Sequence, residues 1–175
     1  MEAVNSWDNA GLALAHAALT PWLDSLFAGL TWLGSLAVLL PLALLVWWRR
    51  RGDRNAGFVA LALIGASALG HLAKLIVERP RPDLFPSLIP MPEDWSFPSA
   101  HAVQVTAFAL AWLLRPGASP GRLEVAVLPA AAVLVVASRL YLQVHFPIDV
   151  IAGVLAAALW VLLLRCLPTW REHRQ

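Results

Sequence analysis

Five stretches free of Asp, Glu, Lys and Arg constrain the fold of this chain more than any other feature. They are Leu26–Trp48, Ala56–Ala73, Ala102–Leu114, Val125–Ala137 and Val150–Leu164. A membrane-spanning helix needs roughly 20 predominantly apolar residues. The first two stretches approach or exceed that length alone, and the other three reach it only with polar flanks at residues 99–101, 138–141 and 149. We therefore predict an all-α integral membrane protein, a bundle of about five transmembrane helices that forms a single domain over residues 1–175.

Composition excludes the competing classes. Hydrophobic residues make up 59% of the 175-residue chain and charged residues 14%, whereas soluble domains average about 45–50% apolar and about 25% charged residues. So much apolar surface excludes a disordered chain as well. The single cysteine excludes a disulfide framework. A net charge of +2 gives no reason to expect a nucleic-acid partner.

The basic residues predict the orientation of the bundle. With five spans, nine of them fall on one side: Arg49, Arg50, Arg51, Arg54, Arg115, Arg122, Arg165, Arg171 and Arg174. The positive-inside rule makes that side cytoplasmic. Residues 7–21 are too short, and too interrupted by Pro21, for a further span, so we predict an amphipathic helix at the membrane interface.

Three of the four remaining cations, Lys74, Arg81 and Arg139, belong to a set of three polar blocks at the opposite, outer side. Lys74 is followed after six residues by Arg81 and Pro82. The other two blocks are Pro98-Ser99-Ala100-His101, and Ser138-Arg139 followed by His145 and Asp149. These spacings bring two histidines, three cations, a serine and an aspartate to one face of the membrane.

This set of residues suits a phosphate group. Arg81 and Arg139 offer planar guanidinium groups for phosphate oxygens, and Lys74 adds a compact charge. Ser99, Ala100 and the first amides of the third span form a helix N-terminus, which binds anions. Phosphoryl transfer depends mainly on such positioning and charge neutralisation. The five histidines show no zinc-protease spacing, so we expect no metal and no cofactor.

The three blocks resemble the signature of the type 2 phosphatidic acid phosphatase family, membrane enzymes that dephosphorylate lipids. Ala100 departs from the pattern, which has glycine there. The resemblance implies that His145 attacks phosphorus to form a phosphohistidine and that Asp149 orients its ring. It also implies that His101 protonates the leaving oxygen and then activates water. The residues alone would permit the two histidines to exchange roles.

The resemblance and the short chain favour undecaprenyl diphosphate as substrate, hydrolysed to the monophosphate at the outer face of a bacterial cytoplasmic membrane. Phosphatidylglycerophosphate, phosphatidate and lipid A phosphates are alternatives. The same residues would serve a lipid phosphotransferase. A protein that only binds or translocates phospholipids is the non-enzymatic alternative. The expected partners are the lipid phosphate and the bilayer, and the oligomeric state is left open.

Three polar residues near the blocks receive structural interpretations. Arg79 is interpreted as an interfacial anchor at the end of a helix. His71 is interpreted as a hydrogen-bonding residue in helix packing. Asp94 is assigned to a solvated loop face.

Overall fold

A computed structural model describes residues 2–51 and 55–170, and over these residues the chain is helical without strands. Its α-helices are α1 (Glu2–Ala17), α2 (Pro21–Leu30), α3 (Leu36–Arg49), α4 (Phe58–Val77), α5 (Ala100–Leu114), α6 (Arg122–Tyr141) and α7 (Pro147–Cys166). Short 3-10 helices cover Thr31–Gly34 and Pro168–Trp170. The all-α class predicted from the sequence is confirmed.

Three helices, α4, α6 and α7, are each 20 residues long and apolar enough to cross a membrane. Residues Pro21–Gly34 and α3 would form a fourth span if taken together, with a bend of 44° between them. The stretch Leu26–Trp48, predicted as one span, is therefore divided between helices, because Ser35 is extended. Gly34 packs against Val135 of α6, where a β-carbon would collide with the valine side chain. This close approach gives a structural reason for the break.

The central element is α5, which packs against α3, α4, α6 and α7. It has only 15 residues, eight of which are buried. Five of them, Val103, Val105, Ala107, Phe108 and Ala111, belong to one apolar core with residues of the surrounding helices. The outer faces of the bundle carry exposed leucines, including Leu155, Leu159 and Leu163 of α7. A core of small and branched residues inside an exposed apolar surface is what a membrane environment requires.

Four helix ends meet at one end of the bundle, which we call the site end. Helix α4 ends there at Val77, and the next residue, Glu78, caps it with a left-handed φ of 48°. Pro80 and Pro82 cannot continue a helix. Helix α7 starts there with Pro147, a residue favoured in the first turn. Arg165 lies at the opposite end, where its Nε donates to the carbonyl of Leu114 at 3.1 Å. Arg54, Arg171 and Arg174 of the orientation argument lie outside the described residues.

Helix α1 packs against α6 and α7. Its Asp8 and Leu12 are fully buried. The helix predicted over residues 7–21 is in fact divided, because α1 ends at Ala17 and α2 begins at Pro21. Helix α1 thus contributes a buried carboxylate to the interior of the bundle at the site end.

Candidate active site

Two of the predicted phosphate-binding cations meet on one carboxylate. Lys74 Nζ lies 3.1 Å from Asp94 Oδ2 and donates to the carbonyl of Trp95. Arg81 Nη2 lies 2.5 Å from Asp94 Oδ1, and its Nε donates to the Asp94 carbonyl at 2.8 Å. The Asp94 side chain is 47% exposed, yet it is not the solvated loop residue expected from the sequence. Its carboxylate makes the contacts that oxygens of a phosphate would make.

Arg81 also fixes the proton on His145. Its Nη1 lies 3.2 Å from His145 Nε2 and donates to the Val144 carbonyl at 2.7 Å. A guanidinium group can only donate hydrogen bonds, so His145 Nε2 must be the acceptor in this contact. The ring proton therefore sits on Nδ1, and the lone pair of Nε2 points toward the two cations.

The Nδ1 side of His145 faces two oxygen atoms. Asp149 Oδ2 lies 3.6 Å from Nδ1, and Ser96 Oγ lies 3.4 Å from it. Ser96 Oγ donates to Asp149 Oδ2 at 2.5 Å, and the Phe146 amide donates to the same oxygen at 2.9 Å. The acid predicted to orient the imidazole is thus next to it, with a serine hydroxyl beside both groups.

Burial keeps His145 neutral. The residue is 1% exposed, and this burial lowers the pKa of its imidazole to about 4, against the opposing effect of Asp149 and with help from the charges on Arg139 and Arg81. A neutral imidazole with its lone pair on Nε2 is the form that can attack phosphorus, once Arg81 exchanges its contact with Nε2 for a phosphate oxygen. At Asp94, burial opposes ionisation, but the hydrogen bond from Arg81 and the charge of Lys74 outweigh it and lower the pKa of the carboxyl group.

Arg79 holds two buried carboxylates together. Its Nη1 lies 2.7 Å from Asp149 Oδ1, and its Nη2 lies 2.5 Å from Asp8 Oδ2. The guanidinium also stacks over the Phe146 ring, 4.0 Å from the ring centroid. Asp8 accepts a further bond, from the Ile148 amide at 3.1 Å. The interpretation of Arg79 as an interfacial anchor is therefore wrong, because the residue joins α1 to the histidine–aspartate pair.

The N-terminus of α5 borders the same site. The Ser99 amide donates to the carbonyl of Asp149 at 3.0 Å, and the first intrahelical bond runs from Val103 to Ser99 at 3.0 Å. The amides of Ala100, His101 and residue 102 therefore precede the helical ladder, as in an anion-binding helix start. The Ser99 hydroxyl is buried and has no hydrogen-bond partner among the described residues.

Two predicted residues make few contacts within the protein. His101 lies in the first turn of α5 and has no hydrogen-bond partner in the described part of the chain. Arg139 is 2% exposed and donates from Nη1 to Thr31 Oγ1 at 2.7 Å. Its Nε has no partner over residues 2–51 and 55–170. Donor capacity at both side chains is thus left over for a ligand.

All eight residues predicted for the site, Lys74, Arg81, Ser99, Ala100, His101, Arg139, His145 and Asp149, lie at the site end. Sequence reasoning missed Asp8, Arg79, Asp94 and Ser96. A lone acidic residue in the predicted interfacial helix was the available signal for Asp8. No sequence spacing pointed to Ser96, whose role depends on the fold of residues 79–98. Over the described residues, no group of three or more His, Cys, Asp or Glu side chains could hold a metal ion.

Comparison with known proteins gives matches over most of the chain. The model of the PAP2 superfamily matches residues 55–172. Phosphatidylglycerophosphatase B of Bacillus subtilis is 32% identical over 163 residues, which cover 86% of this chain and 78% of the relative. An undecaprenyl-diphosphatase of Sulfolobus acidocaldarius is 33% identical over 143 residues, with 79% and 67% covered. The crystal structure of a PAP2-type phosphatidylglycerolphosphate phosphatase from Bacillus subtilis aligns with a TM-score of 0.85 at 26% identity, covering 100% of this chain and 90% of that one.

Proposed function

Because this chain belongs to the PAP2 superfamily and is a membrane lipid phosphatase, we propose that it hydrolyses a lipid phosphate or diphosphate through a phosphohistidine, without a metal. The observation that carries this proposal is the contact between Arg81 Nη1 and His145 Nε2. It leaves a neutral imidazole with its lone pair directed at a cluster of cations. The catalytic residues are His145, His101 and Asp149.

In the first step, His145 Nε2 attacks the terminal phosphorus. A nitrogen–phosphorus bond forms as the bond to the bridging oxygen breaks, and His101, protonated through the negative charge of the bound diphosphate, gives its proton to that oxygen. Asp149 stabilises the positive charge that develops on the ring through its position next to Nδ1. The lipid monophosphate leaves, and the phosphoryl group stays on His145.

In the second step, water attacks the phosphohistidine. His101, now neutral, accepts a proton from the water as the new phosphorus–oxygen bond forms. The nitrogen–phosphorus bond breaks, inorganic phosphate is released, and His145 Nε2 recovers its lone pair. His101 ends the cycle protonated, as it began.

Charge neutralisation is assigned to the surrounding donors. Lys74 and Arg81 would bind phosphate oxygens after exchanging them for the Asp94 carboxylate. Arg139 would contribute its unpartnered Nε, Ser99 its unpartnered hydroxyl, and Ala100 its amide at the start of α5. Preorganised donors of this kind typically contribute about 10²–10³ each to the rate.

A polyprenyl diphosphate, of which undecaprenyl diphosphate is the example, is the substrate we propose. The undecaprenyl-diphosphatase relative supports it. Phosphatidylglycerophosphate is the second candidate, and similarity to phosphatidylglycerophosphatase B supports that one. Either substrate would supply a terminal phosphoryl group on a lipid held in the outer leaflet.

We assign the chain one membrane domain of five spans over residues 1–175: the bent pair of α2 and α3, then α4, α5, α6 and α7. Helix α1 would lie at the interface. Short α5 is shielded from lipid by its neighbours over most of its length. With the arginine-rich end in the cytoplasm, the site end faces the outside of a bacterial cytoplasmic membrane.

The deciding experiment measures phosphate release by the detergent-purified protein in excess EDTA. The substrates are undecaprenyl diphosphate, phosphatidylglycerophosphate, phosphatidate and a lipid A phosphate, with His145→Ala as the inactive variant. We expect EDTA-resistant release that is lost in the variant, and acid-labile, base-stable radiolabel on the wild-type protein after a quench. Release that EDTA abolishes would refute the metal-independent mechanism.

The alternatives give different outcomes in the same assay. A phosphotransferase would release little inorganic phosphate until an acceptor lipid is added. A binding or translocating protein would release none, and His145→Ala would retain lipid binding. Either outcome would overturn hydrolysis as the function of this site.

A further inference from the structure

A cavity of about 390 Å³ extends from the active site between α3, α4 and α5. Lys74, Asp94 and Ala100 line it where it meets the active site. Ser67, His71 and Gln104 line it farther along α4 and α5. A cavity between apolar helices is thus lined by polar side chains that the steps of hydrolysis do not use.

Two of these polar side chains have no partner in the protein. The side chains of His71 and Gln104 make no hydrogen bond to any residue in the described ranges 2–51 and 55–170, so His71 does not act as a helix-packing hydrogen bonder. Ser67 differs, because its hydroxyl bonds the Leu63 carbonyl of its own helix at 2.7 Å. Polar residues within membrane-spanning helices are costly, and they mark ligand pathways and binding sites.

The helix register places both side chains one turn deeper than the catalytic groups. Helix α4 runs toward the site end, so His71, three residues before Lys74, lies about 4.5 Å deeper along the axis. Helix α5 runs away from the site end, so Gln104 lies the same distance below His101. His101 protonates the leaving oxygen in the proposed reaction. The cavity therefore begins where the leaving group is attached.

We propose that this cavity binds the second phosphoryl group of a lipid diphosphate, through the Nζ of Lys74, a ring N–H of His71 and the side-chain amide of Gln104. This inference rests on the proposed function. All three groups donate hydrogen bonds, and one carries a positive charge, which matches an anionic oxygen-rich group. The two phosphoryl groups share one oxygen, so the second group must lie within one turn of the first.

The donors in this cavity affect which lipids the active site prefers. A lipid whose terminal phosphate is joined directly to carbon, such as phosphatidate, places no oxygen-rich group beside His71 and Gln104. Such a lipid gains nothing from these donors and leaves them without partners. The cavity thus favours diphosphates over monophosphates, whereas the phosphate site itself treats the two equally.

The test measures anion binding by the full-length protein in detergent, through the rise in its unfolding temperature with inorganic phosphate and with methylenediphosphonate, a diphosphate that cannot be hydrolysed. We expect wild-type protein to bind methylenediphosphonate at least tenfold more tightly than phosphate. His71→Ala and Gln104→Leu should each weaken diphosphonate binding about tenfold and leave phosphate binding within twofold. Leu72→Ala is the control, because Leu72 is 54% exposed on the same helix and does not line the cavity.

The binding measurements distinguish a diphosphate site in the cavity from a cavity without this role. Equal binding of the two anions by the wild type, or variants that retain the wild-type preference, would overturn the assignment of the cavity. A variant that fails to fold would lose phosphate binding too, and Gln104→Leu keeps nearly the same volume to limit that risk. Because the readout is binding rather than turnover, an intact preference with no phosphate release would refute only the hydrolytic function.

Discussion

Replacing Arg79 with methionine tests whether the ion cluster behind the catalytic pair holds the site together. The change removes the guanidinium but keeps much of the side-chain length. It takes the cation away from Asp149 and Asp8, whose side chains are fully buried at 2.7 and 2.5 Å from its nitrogens. Both carboxylates would then be buried without the cation that pairs with them.

The expected loss in the free energy of unfolding depends on the hydrogen bonds that each carboxylate retains. Removing one partner of a buried ion pair typically costs about 3–5 kcal/mol. Asp149 retains the Ser96 hydroxyl and the Phe146 amide, and Asp8 retains the Ile148 amide, so we expect the lower end, about 3 kcal/mol. For a chain of this length that corresponds to a fall of roughly 6–12 °C in the unfolding midpoint.

The activity should fall for a separate reason. Without Arg79, Asp149 loses the partner that holds its Oδ1 in place, and with it the fixed position of its Oδ2 beside Nδ1 of His145. Residues that support a functional histidine in this indirect way usually contribute about 10–100-fold. We therefore expect kcat/KM to fall about 10–100-fold at temperatures where the variant is still folded.

The assay pairs thermal unfolding of the purified protein with phosphate release from the preferred lipid. Arg79→Lys should fall between wild type and Arg79→Met, since one ammonium group cannot bond two carboxylates as a planar guanidinium does. Arg49→Met is the matched control, because Arg49 is exposed at the last residue of α3. Wild-type unfolding and kinetics in Arg79→Met would refute the reasoning.

Three further changes probe neighbouring groups. Ser96→Ala removes the donor at 2.5 Å from Asp149 and should lower kcat/KM about tenfold. Ser96→Thr keeps the hydroxyl and should keep most of the rate. Equal rates in wild type and both variants would exclude a role for the hydroxyl. Asp94→Asn removes the carboxylate that competes with substrate for Lys74 and should lower KM about fivefold. The change is modest because Asp94 is half exposed. A higher KM would mean that Asp94 assists substrate binding. The pKa of His145 is about 4 in the folded protein, against an ordinary value of 6.5. Between pH 4 and pH 6.5, His145 is therefore protonated in the unfolded chain and neutral in the folded protein. The contribution of His145 to the free energy of unfolding should therefore be constant above pH 6.5 and fall by about 3 kcal/mol toward pH 4. His145→Gln should lack this part of the slope in pH-dependent unfolding.

The predicted site residues lie at one end of the bundle because their positions follow from helix ends. Once Lys74, His101, Arg139 and Asp149 are placed at the ends of successive spans, an up-and-down bundle must bring them to the same side. The lengths of the apolar stretches are enough to infer that these residues share one side of the membrane. Helix α7 accordingly begins at Pro147, so that Asp149 lies in its first turn.

The contacts missed from the sequence depend on distance along the chain and on irregular backbone. Arg79 meets Asp8 from 71 residues away, and no periodic pattern reports such a pairing. Ser96 reaches Asp149 because the segment between α4 and α5 folds back over the site, held by the Ser96 amide on the Arg79 carbonyl at 2.8 Å. The break at Ser35 depends on how closely α6 approaches Gly34, and that packing distance is not encoded in hydropathy.

The contact between Asp8 and the start of α7 has a consequence for biosynthesis. The Asp8 carboxylate and the Ile148 amide are 140 residues apart in the chain. Almost the whole protein must therefore be synthesised before the Asp8 side chain of α1 can accept the hydrogen bond from the Ile148 amide. The bundle can begin to pack as soon as its middle helices are inserted, but the pocket acquires its final electrostatics only when α7 is inserted. Catalytic competence is thus a late event in assembly, and a ribosome-stalled chain that ends before residue 147 would be membrane-inserted yet inactive.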